Sequence, residues 1–402
     1  MPAKGDQGTV RALNRRLLFQ LLREQGPTSR TELAEASGLS NGAITRIVTE
    51  LMAEGFLIEQ SIGASTGGRR PVLLDLDTTG RVVAGLKLMD DAILAVLVDL
   101  KGTVVANSRT ALRSHDPKVV LGRAAKAVDR LLDGIGAAHD RLAGVGLCMP
   151  GTIDWQTGVC RLAPFFNWHD VHVGELLHDL TGVPVAVDND VNALAVAESL
   201  FGRGRTARDF AVITLGRGVG AGLVTGGRVY RGANGGAGEF GHVVSELGGR
   251  RCECGKAGCL EAYVGEQALL SRIHEHGGHE QGRRYADVDM DAFLELVAAE
   301  DRLAEPIHGE AITRLGAAIA NLVNLLNPEL IVLGGESAML TDEFVAALRP
   351  RIDEHTFSGL AGSFDIQLDE CRGDPAAWAR GAASLAMEHI FDPLMFSMRS
   401  TA

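Results

Sequence analysis

Cysteine is scarce in this chain, six in 402 residues. Nothing else about the sequence has a secreted character, so a disulfide framework is the weaker expectation for them. Long apolar runs are missing as well. No uninterrupted stretch reaches the length of a membrane span, which excludes a transmembrane helix. The first residues, Met1 to Gly8, lack the apolar core of a signal peptide, so a cytoplasmic protein is expected. Basic charge is in deficit, 39 Lys and Arg against 51 Asp and Glu, for a net −12. Over the whole chain that balance argues against nucleic acid. Residues 1–72, however, carry nine basic and seven acidic side chains, a net +2, which leaves 30 and 44 in the remainder, a net −14. The basic balance is confined to this N-terminal segment and is mostly arginine. A hydrophobic content of 46% and a mean hydropathy of +0.09 fit a globular protein. A chain this long exceeds the size at which one core stops growing, so two or three domains are expected.

The cysteines that are present cluster. Cys252, Cys254 and Cys259 follow Gly-Glu-Phe-Gly-His at 238–242, and with His242 they lie within 18 residues. Three thiolates and an imidazole make the ligand set of a closed tetrahedral zinc site. A closed site leaves no position for water, so the metal is expected to be structural and to pin the loop carrying Glu239, His242 and Glu261. Those three polar groups could face one small ligand. The competing readings are a disulfide pair and ordinary reduced cysteines, for which Cys-Glu-Cys-Gly-Lys-Ala-Gly-Cys is too compact and glycine-rich. Cys148, in an apolar and strand-like run, has a buried thiol as its default. Cys160 and Cys371 are also expected to remain thiols.

In the N-terminal segment Leu13, Leu17, Leu18, Leu21 and Leu22 recur at helical spacing until Gly26-Pro27. Thr31–Ser37 reads as a second short helix, broken by Gly38-Leu39-Ser40. Ser40 is placed to cap a third helix, Asn41–Glu54, with Ile44, Ile47, Val48 and Leu51 inward. Two helices joined by a short glycine turn make a helix-turn-helix. Its third helix leaves Asn41, Gly42, Thr45, Arg46 and Thr49 outward, the small or hydrogen-bonding groups wanted in a major groove. Phe56–Glu59 and Pro71–Leu74 read as two strands, and the polar loop between them carries Arg69 and Arg70. That is the outline of a wing able to touch phosphates. DNA binding through Ser40, Asn41, Thr45, Arg46, Arg69 and Arg70 is weighed against a small helical protein-interaction domain, and the joint presence of helix, turn, wing and arginines favours DNA. The segment resembles the winged helix-turn-helix that heads many bacterial repressors.

From residue 80 strands and helices alternate, with expected strands at Val82–Leu88, Ile93–Asp99, Gly102–Ser108, Leu142–Met149 and Val183–Val187. Helices are expected over Pro117–Ala138 and Val191–Phe201. Phe210–Leu215 and Gly220–Val224 read as a hairpin around Gly216-Arg217-Gly218-Val219, and a helix over Ile312–Leu326 leads into a strand, Leu330–Leu333. Polar loops at strand ends are where α/β folds build ligand sites. Asp188-Asn189-Asp190 is such a cluster, able to donate and accept toward adjacent hydroxyls. Asp190 could also act as a general base. The plainer reading is a helix N-cap.

Pro150-Gly151, Asn189-Asp190, Leu215 through Gly220, Gly238 through His242, the cysteines with Glu261, and Asn327-Pro328 with Leu333-Gly334-Gly335 together resemble the ROK family, named for repressors, open reading frames and kinases. The resemblance covers nearly the whole chain. It implies an α/β fold of two actin-like, ribonuclease-H-like lobes with a sugar cleft, here preceded by a winged helix-turn-helix. The corresponding domains are 9–74 for the DNA-binding head, 80–190 with a C-terminal helix at 375–392 for the first lobe, and 191–374 for the second. One zinc per chain is implied on His242, Cys252, Cys254 and Cys259. Sugar contacts are implied at Asn189, Asp190, Glu239, His242 and Glu261, with Gly151 and Asn167 added by the same resemblance.

Kinases of the family open their first lobe with an Asp-x-Gly-Gly-Thr type loop that holds ATP phosphates. Here the matching stretch is Gly85-Leu86-Lys87-Leu88-Met89-Asp90-Asp91. The glycine pair and threonine are missing, Lys87 takes the acidic position, and bulky Leu88 and Met89 prevent the close backbone approach of a phosphate cradle. In the second phosphate loop Arg217 replaces the kinase threonine, although it could be a simple surface arginine. The expectation is a sugar-responsive transcriptional regulator, a repressor of carbohydrate genes that is not an enzyme. Its partners would be operator DNA and a sugar or sugar phosphate, and its state a homodimer or tetramer. An active ATP-dependent sugar kinase with Asp190 catalytic is the alternative, and a zinc-stabilised scaffold for a protein partner is a third reading.

Overall fold

The computed structural model describes residues 7–60, 72–277 and 285–391. The chain divides into two compact units, Met1–Ala193 with Trp378–Ala402, and Leu194–Ala377.

The first unit opens with α1 (Gln7–Gln25), β1 (Thr28–Ser29), α2 (Arg30–Ser37) and α3 (Asn41–Ala53). Ser29 and Glu32 form a reciprocal capping box at the start of α2, and Gly38, at φ 70°, closes it in the left-handed conformation that glycine adopts without strain. Ser40 caps α3 by accepting from the Ala43 amide, and Ile44, Ile47, Val48 and Leu51 are buried with Leu18, Leu22 and Leu33. The wing strands are β2 (Leu57–Gln60) and β3 (Leu73–Leu76), antiparallel with Leu57 opposite Leu76, and β1 lines the other edge of β3. Both start later than expected. Phe56 is used in the turn after Gly55 and is buried instead of entering the ladder.

Next come β4 (Val82–Leu88), β5 (Ala92–Asp99), β6 (Val104–Ala111), α4 (Pro117–Gly134) and β7 (Leu142–Met149). They are followed by β8 (Thr152–Asp154), β9 (Val159–Ala163), β10 (Trp168–Val171), α5 (Val173–Thr181) and β11 (Val185–Asn189). A five-stranded sheet runs β11-β7-β4-β5-β6, and β8, β9 and β10 form a small sheet of their own. Strands β4 and β5 are buried along their whole length, which is why they read as continuous apolar runs, whereas edge strand β6 alternates. Helix α6 (Asp190–Phe201) leaves β11 and contains the boundary between the units.

The second unit holds β12 (Phe210–Leu215), β13 (Val219–Thr225), β14 (Arg228–Val229), α7 (Glu261–Val264), α8 (Glu266–Gly277) and α9 (Met290–Ala298). It continues with α10 (Ala304–Leu326), β15 (Leu330–Gly334), α11 (Asp342–His355) and β16 (Asp365–Leu368), and α12 (Pro375–His389) then returns the chain to the first unit. Its sheet order is β14-β13-β12-β15-β16. Both large sheets therefore share one plan. Two strands lie parallel to the first strand of the sheet in chain order (β4 or β12) on one side (β7 and β11, or β15 and β16), and a meander extends antiparallel on the other. Helix α10 begins eight residues before the expected Ile312, because Pro306 falls in its first turn, where a missing N–H costs nothing. Among the described residues no helix is long and apolar enough to cross a membrane.

Candidate functional site

The expected metal ligands converge in the second unit. The ligand atoms of His242, Cys252, Cys254 and Cys259 all lie within 4.8 Å of one another. Tetrahedral zinc would set sulfur–sulfur edges of about 3.8 Å and nitrogen–sulfur edges of about 3.6 Å from its ordinary bond lengths. Cys254 Sγ to Cys259 Sγ is 3.7 Å, and Cys252 Sγ to His242 Nδ1 is 3.6 Å. The donor set and its spacing fit the ion. Burial pushes the Cys252 and Cys259 thiols above the ordinary range. Burial opposes ionisation of Cys254 too, but hydrogen bonds from the Lys256 amide and the neighbouring thiols lower it. His242 divides its ring: Nδ1 faces the sulfurs, and Nε2 lies 3.9 Å from Glu239 Oε2.

The loop between the first and last ligands is latched by side chains. Tyr263 Oη donates to Glu246 at 2.9 Å and accepts from the Arg250 amide at 2.8 Å. Arg314 lies 3.9 Å over the Tyr263 ring and donates to Glu246 and to Glu310. Burial disfavours the Glu310 carboxylate, yet hydrogen bonds from Arg314 and Arg272 outweigh it and hold the carboxyl below its usual range. Gly258, at φ 82°, sits where a side chain would strike the Glu246 carbonyl, so this tight loop requires glycine.

Glu261 joins the metal loop to the glycine hairpin. Its Oε2 accepts from the Val219 amide at 3.0 Å, while Oε1 is 3.6 Å from Cys252 Sγ. The turn Gly216-Arg217-Gly218 is bounded by carboxylates. Side chains added at Gly216 and Gly218 would meet Glu336 and Glu261, and Arg217 pairs with Glu253 at 3.5 Å. The equivalent turn of the first unit, Met89-Asp90-Asp91 between β4 and β5, has the same length but carries no glycine. Lys87 and Leu88 end β4, and the Met89 amide closes the turn by donating to the Ala92 carbonyl at 2.8 Å.

The remaining expected sugar residues belong to the first unit. Asn189 donates to the Gly151 carbonyl at 3.1 Å and accepts from the Val191 amide at 2.8 Å. Asp190 Oδ1 accepts from the same amide at 2.9 Å, so the capping reading of this pair is part of its geometry. Asp190 Oδ2 takes an ion pair from Lys87 Nζ, with the two side chains only 15% and 10% exposed. Lys87 also lies 4.7 Å over the ring of Trp378. Cys148, fully buried, donates to the Trp378 carbonyl at 3.4 Å, and burial pushes its thiol up to about 12. Asn167 is exposed and left-handed, at φ 55° after a short 3₁₀ turn.

On α3 the residues Asn41, Gly42, Thr45, Arg46 and Thr49 are all exposed, opposite the buried stripe. Two ion pairs tie the helix to α1, Arg11 with Glu50 at 2.9 Å and Arg15 with Glu54. Arg69 and Arg70 lie outside the described residues. Sequence reasoning singled out Lys87 as a missing acid but not as the partner of Asp190. The signal was available, since a lysine inside the apolar run Val82–Leu88 requires a counter-ion. Trp378 and Glu336 were missed altogether.

A helix-turn-helix head with a β-wing, placed before paired five-stranded sheets of ribonuclease-H-like plan, defines a class: a winged helix-turn-helix head joined to an actin-like body. The ROK family profile matches residues 83–389, and a winged helix-turn-helix DNA-binding profile matches residues 11–58. The chain belongs to the ROK family. It is 31% identical over 367 residues to a putative xylose repressor of Caldicellulosiruptor sp. (strain Rt8B.4), covering 88% of this chain and 90% of that protein. A crystal structure of a ROK family transcriptional regulator, a homologue of the E. coli MLC protein, superposes with a TM-score of 0.84 at 26% identity, over 96% of this chain and 98% of that one. The ROK hexokinase of Thermus thermophilus gives a TM-score of 0.64 at 30% identity over 76% of this chain and 97% of its own.

Proposed function

We propose that this protein is a sugar-responsive transcriptional repressor that binds operator DNA through α3 and the wing, and that it does not phosphorylate its sugar. The observation that carries the reading is the state of Asp190 beneath a DNA-binding head. A general base must reach the hydroxyl whose proton it takes. Here Lys87, at the position that is acidic in the family's kinases, ion-pairs with one Asp190 oxygen while the other accepts from the Val191 amide. A sugar hydroxyl therefore reaches Asp190 only in competition with Lys87. The glycine hairpin supports the same conclusion. Glu261 takes the Val219 amide that a phosphate cradle would use, and Glu336 packs on Gly216. Carboxylates packed on the backbone of this turn disfavour the phosphates of a nucleoside triphosphate. The whole-length likeness to a repressor and to a regulator structure agrees.

In this reading Asn189, Asp190, Glu239, His242 and Glu261 hold the sugar, with Gly151 shaping the backbone beside Asn189. Several donors and acceptors aimed at fixed hydroxyls reject wrong epimers, since each mismatch strands a buried polar group. Zinc on His242 Nδ1 and the three thiols is structural, and it leaves Nε2 for the sugar. DNA is read by Asn41, Thr45 and Arg46, with Ser40, Arg69 and Arg70 on phosphates, in a homodimer that meets two half-sites.

The test is a thermal-shift panel of D-xylose, D-glucose, N-acetyl-D-glucosamine and N-acetyl-D-glucosamine 6-phosphate, followed by ATP turnover with each sugar that binds. Binding without ATP consumption, weakened in Glu239→Gln, is expected. ATP consumption at ordinary kinase rates would overturn the non-catalytic reading.

A further inference from the structure

We propose that the Lys87–Asp190 pair and helix α12 form a relay from the sugar-binding carboxylate to the DNA-reading helix. The inference rests on the sugar role of Asp190 and supplies its route, which lies entirely within the first unit.

The near end is a competition. Asp190 Oδ1 is committed to the Val191 amide, so Oδ2 is the oxygen that Lys87 and a sugar hydroxyl would share. A hydroxyl that takes Oδ2 weakens the hold on Lys87, whose ammonium also rests on the face of Trp378. Trp378 stands where α12 enters the first unit. From there the helix backbone lies directly on the sheet. A side chain at Gly85 of β4 would run into the Ala379 carbonyl, and one at Gly146 of β7 into that of Ala382. So close a contact leaves no room for gradual bending, and a displacement at Trp378 moves the helix as a body.

The far end touches the head. Glu388 lies 3.9 Å from Arg16 of α1. Just past α12, the Phe391 ring packs edge-on against Phe19 of α1 at 5.5 Å and Phe56 at 5.0 Å, with Arg15 over it at 4.8 Å. Arg15 in turn pairs with Glu54 at the end of α3, and Arg11 with Glu50. Each step is a direct contact, from Asp190 through Lys87, Trp378, α12, Phe391 and α1 to α3. Sugar can shift the head only by the difference in its affinity for the two arrangements.

The test needs no ligand. Hydrogen exchange is followed by mass spectrometry on the full chain for wild type, Lys87→Met and Lys87→Arg. Lys87→Met is expected to raise exchange about tenfold in residues 378–389 and in α1 and α3, while the metal loop stays unchanged. Lys87→Arg, which keeps the charge, is expected to restore the wild-type pattern. Glu388→Gln, should Lys87→Met fail to fold, is expected to raise exchange in α1 and α3 but not around Asp190. Exchange raised only in β4 and the start of α6, an equal effect of Lys87→Arg, or an unchanged α1 in Glu388→Gln would overturn the relay. A panel in which no sugar binds would instead overturn the sugar reading, so the two failures are distinguishable.

Discussion

The His242–Cys259 cluster and the Lys87–Asp190 pair are both compact polar clusters, but they are assembled in opposite ways. The four residues proposed to hold zinc come from one stretch, His242 to Cys259, folded on itself by glycines and latched by Tyr263, Arg314 and Glu310. The pair and its surroundings come from residues 87, 148, 190 and 378, brought together only by the completed sheet and α12. A local cluster can be tuned with little effect elsewhere. A long-range cluster makes each member answerable to the fold, which is the property the proposed relay would use.

The largest way to break that contrast is to remove the metal. Zinc in small structural sites is worth about 10 kcal/mol of apparent folding energy, so Cys254→Ser should lose metal on dialysis and melt the loop around residues 243–258. Metal analysis by mass spectrometry and a thermal scan check it, and full zinc content in the variant would remove Cys254 from the site.

The next test is at the pair. Removing one partner of a buried ion pair costs about 3–5 kcal/mol; with the side chains 15% and 10% exposed, Asp190→Asn is expected to cost less, about 2 kcal/mol. The double variant Lys87→Met/Asp190→Asn should recover part of that loss, which denaturant titration of all four proteins in the cycle would measure. Additive losses would mean that the pair contributes no coupling.

On α3, Arg46→Ala should weaken binding to a selected DNA sequence by about 1–3 kcal/mol while changing non-specific binding less. Competition titrations against random duplex separate the two. The smallest effect belongs to Arg109→Ala. It breaks an exposed pair with Asp91, 2.6 Å apart and more than half exposed on both sides, and should leave stability and DNA binding unchanged within error.

The same contrast explains what was legible in the sequence. The stripe Ile44, Ile47, Val48 and Leu51, the cap at Ser40 and the strands Val82–Leu88, Leu142–Met149 and Phe210–Leu215 appear as expected because local periodicity and capping determine them. The cysteine cluster was legible for the same reason. Helices α5, α8, α9 and α11 and strands β8, β9, β10, β14 and β16 were not anticipated; the strands are short, and tertiary packing decides segments of that length. Glu336 against Gly216 and Trp378 against Lys87 were beyond reach, since each contact joins positions over a hundred residues apart.

The measurement that bears most directly on the central claim is a pair of titrations on the full chain. DNA selected by this protein from random duplex is titrated by fluorescence anisotropy with and without the panel sugar that gives the largest thermal shift, and that sugar is titrated by calorimetry with and without the DNA. A sugar-responsive repressor predicts that the sugar weakens DNA binding by about 5–150-fold and that DNA weakens sugar binding by the same factor. Equal DNA affinity in the presence and absence of a sugar that demonstrably binds would contradict it.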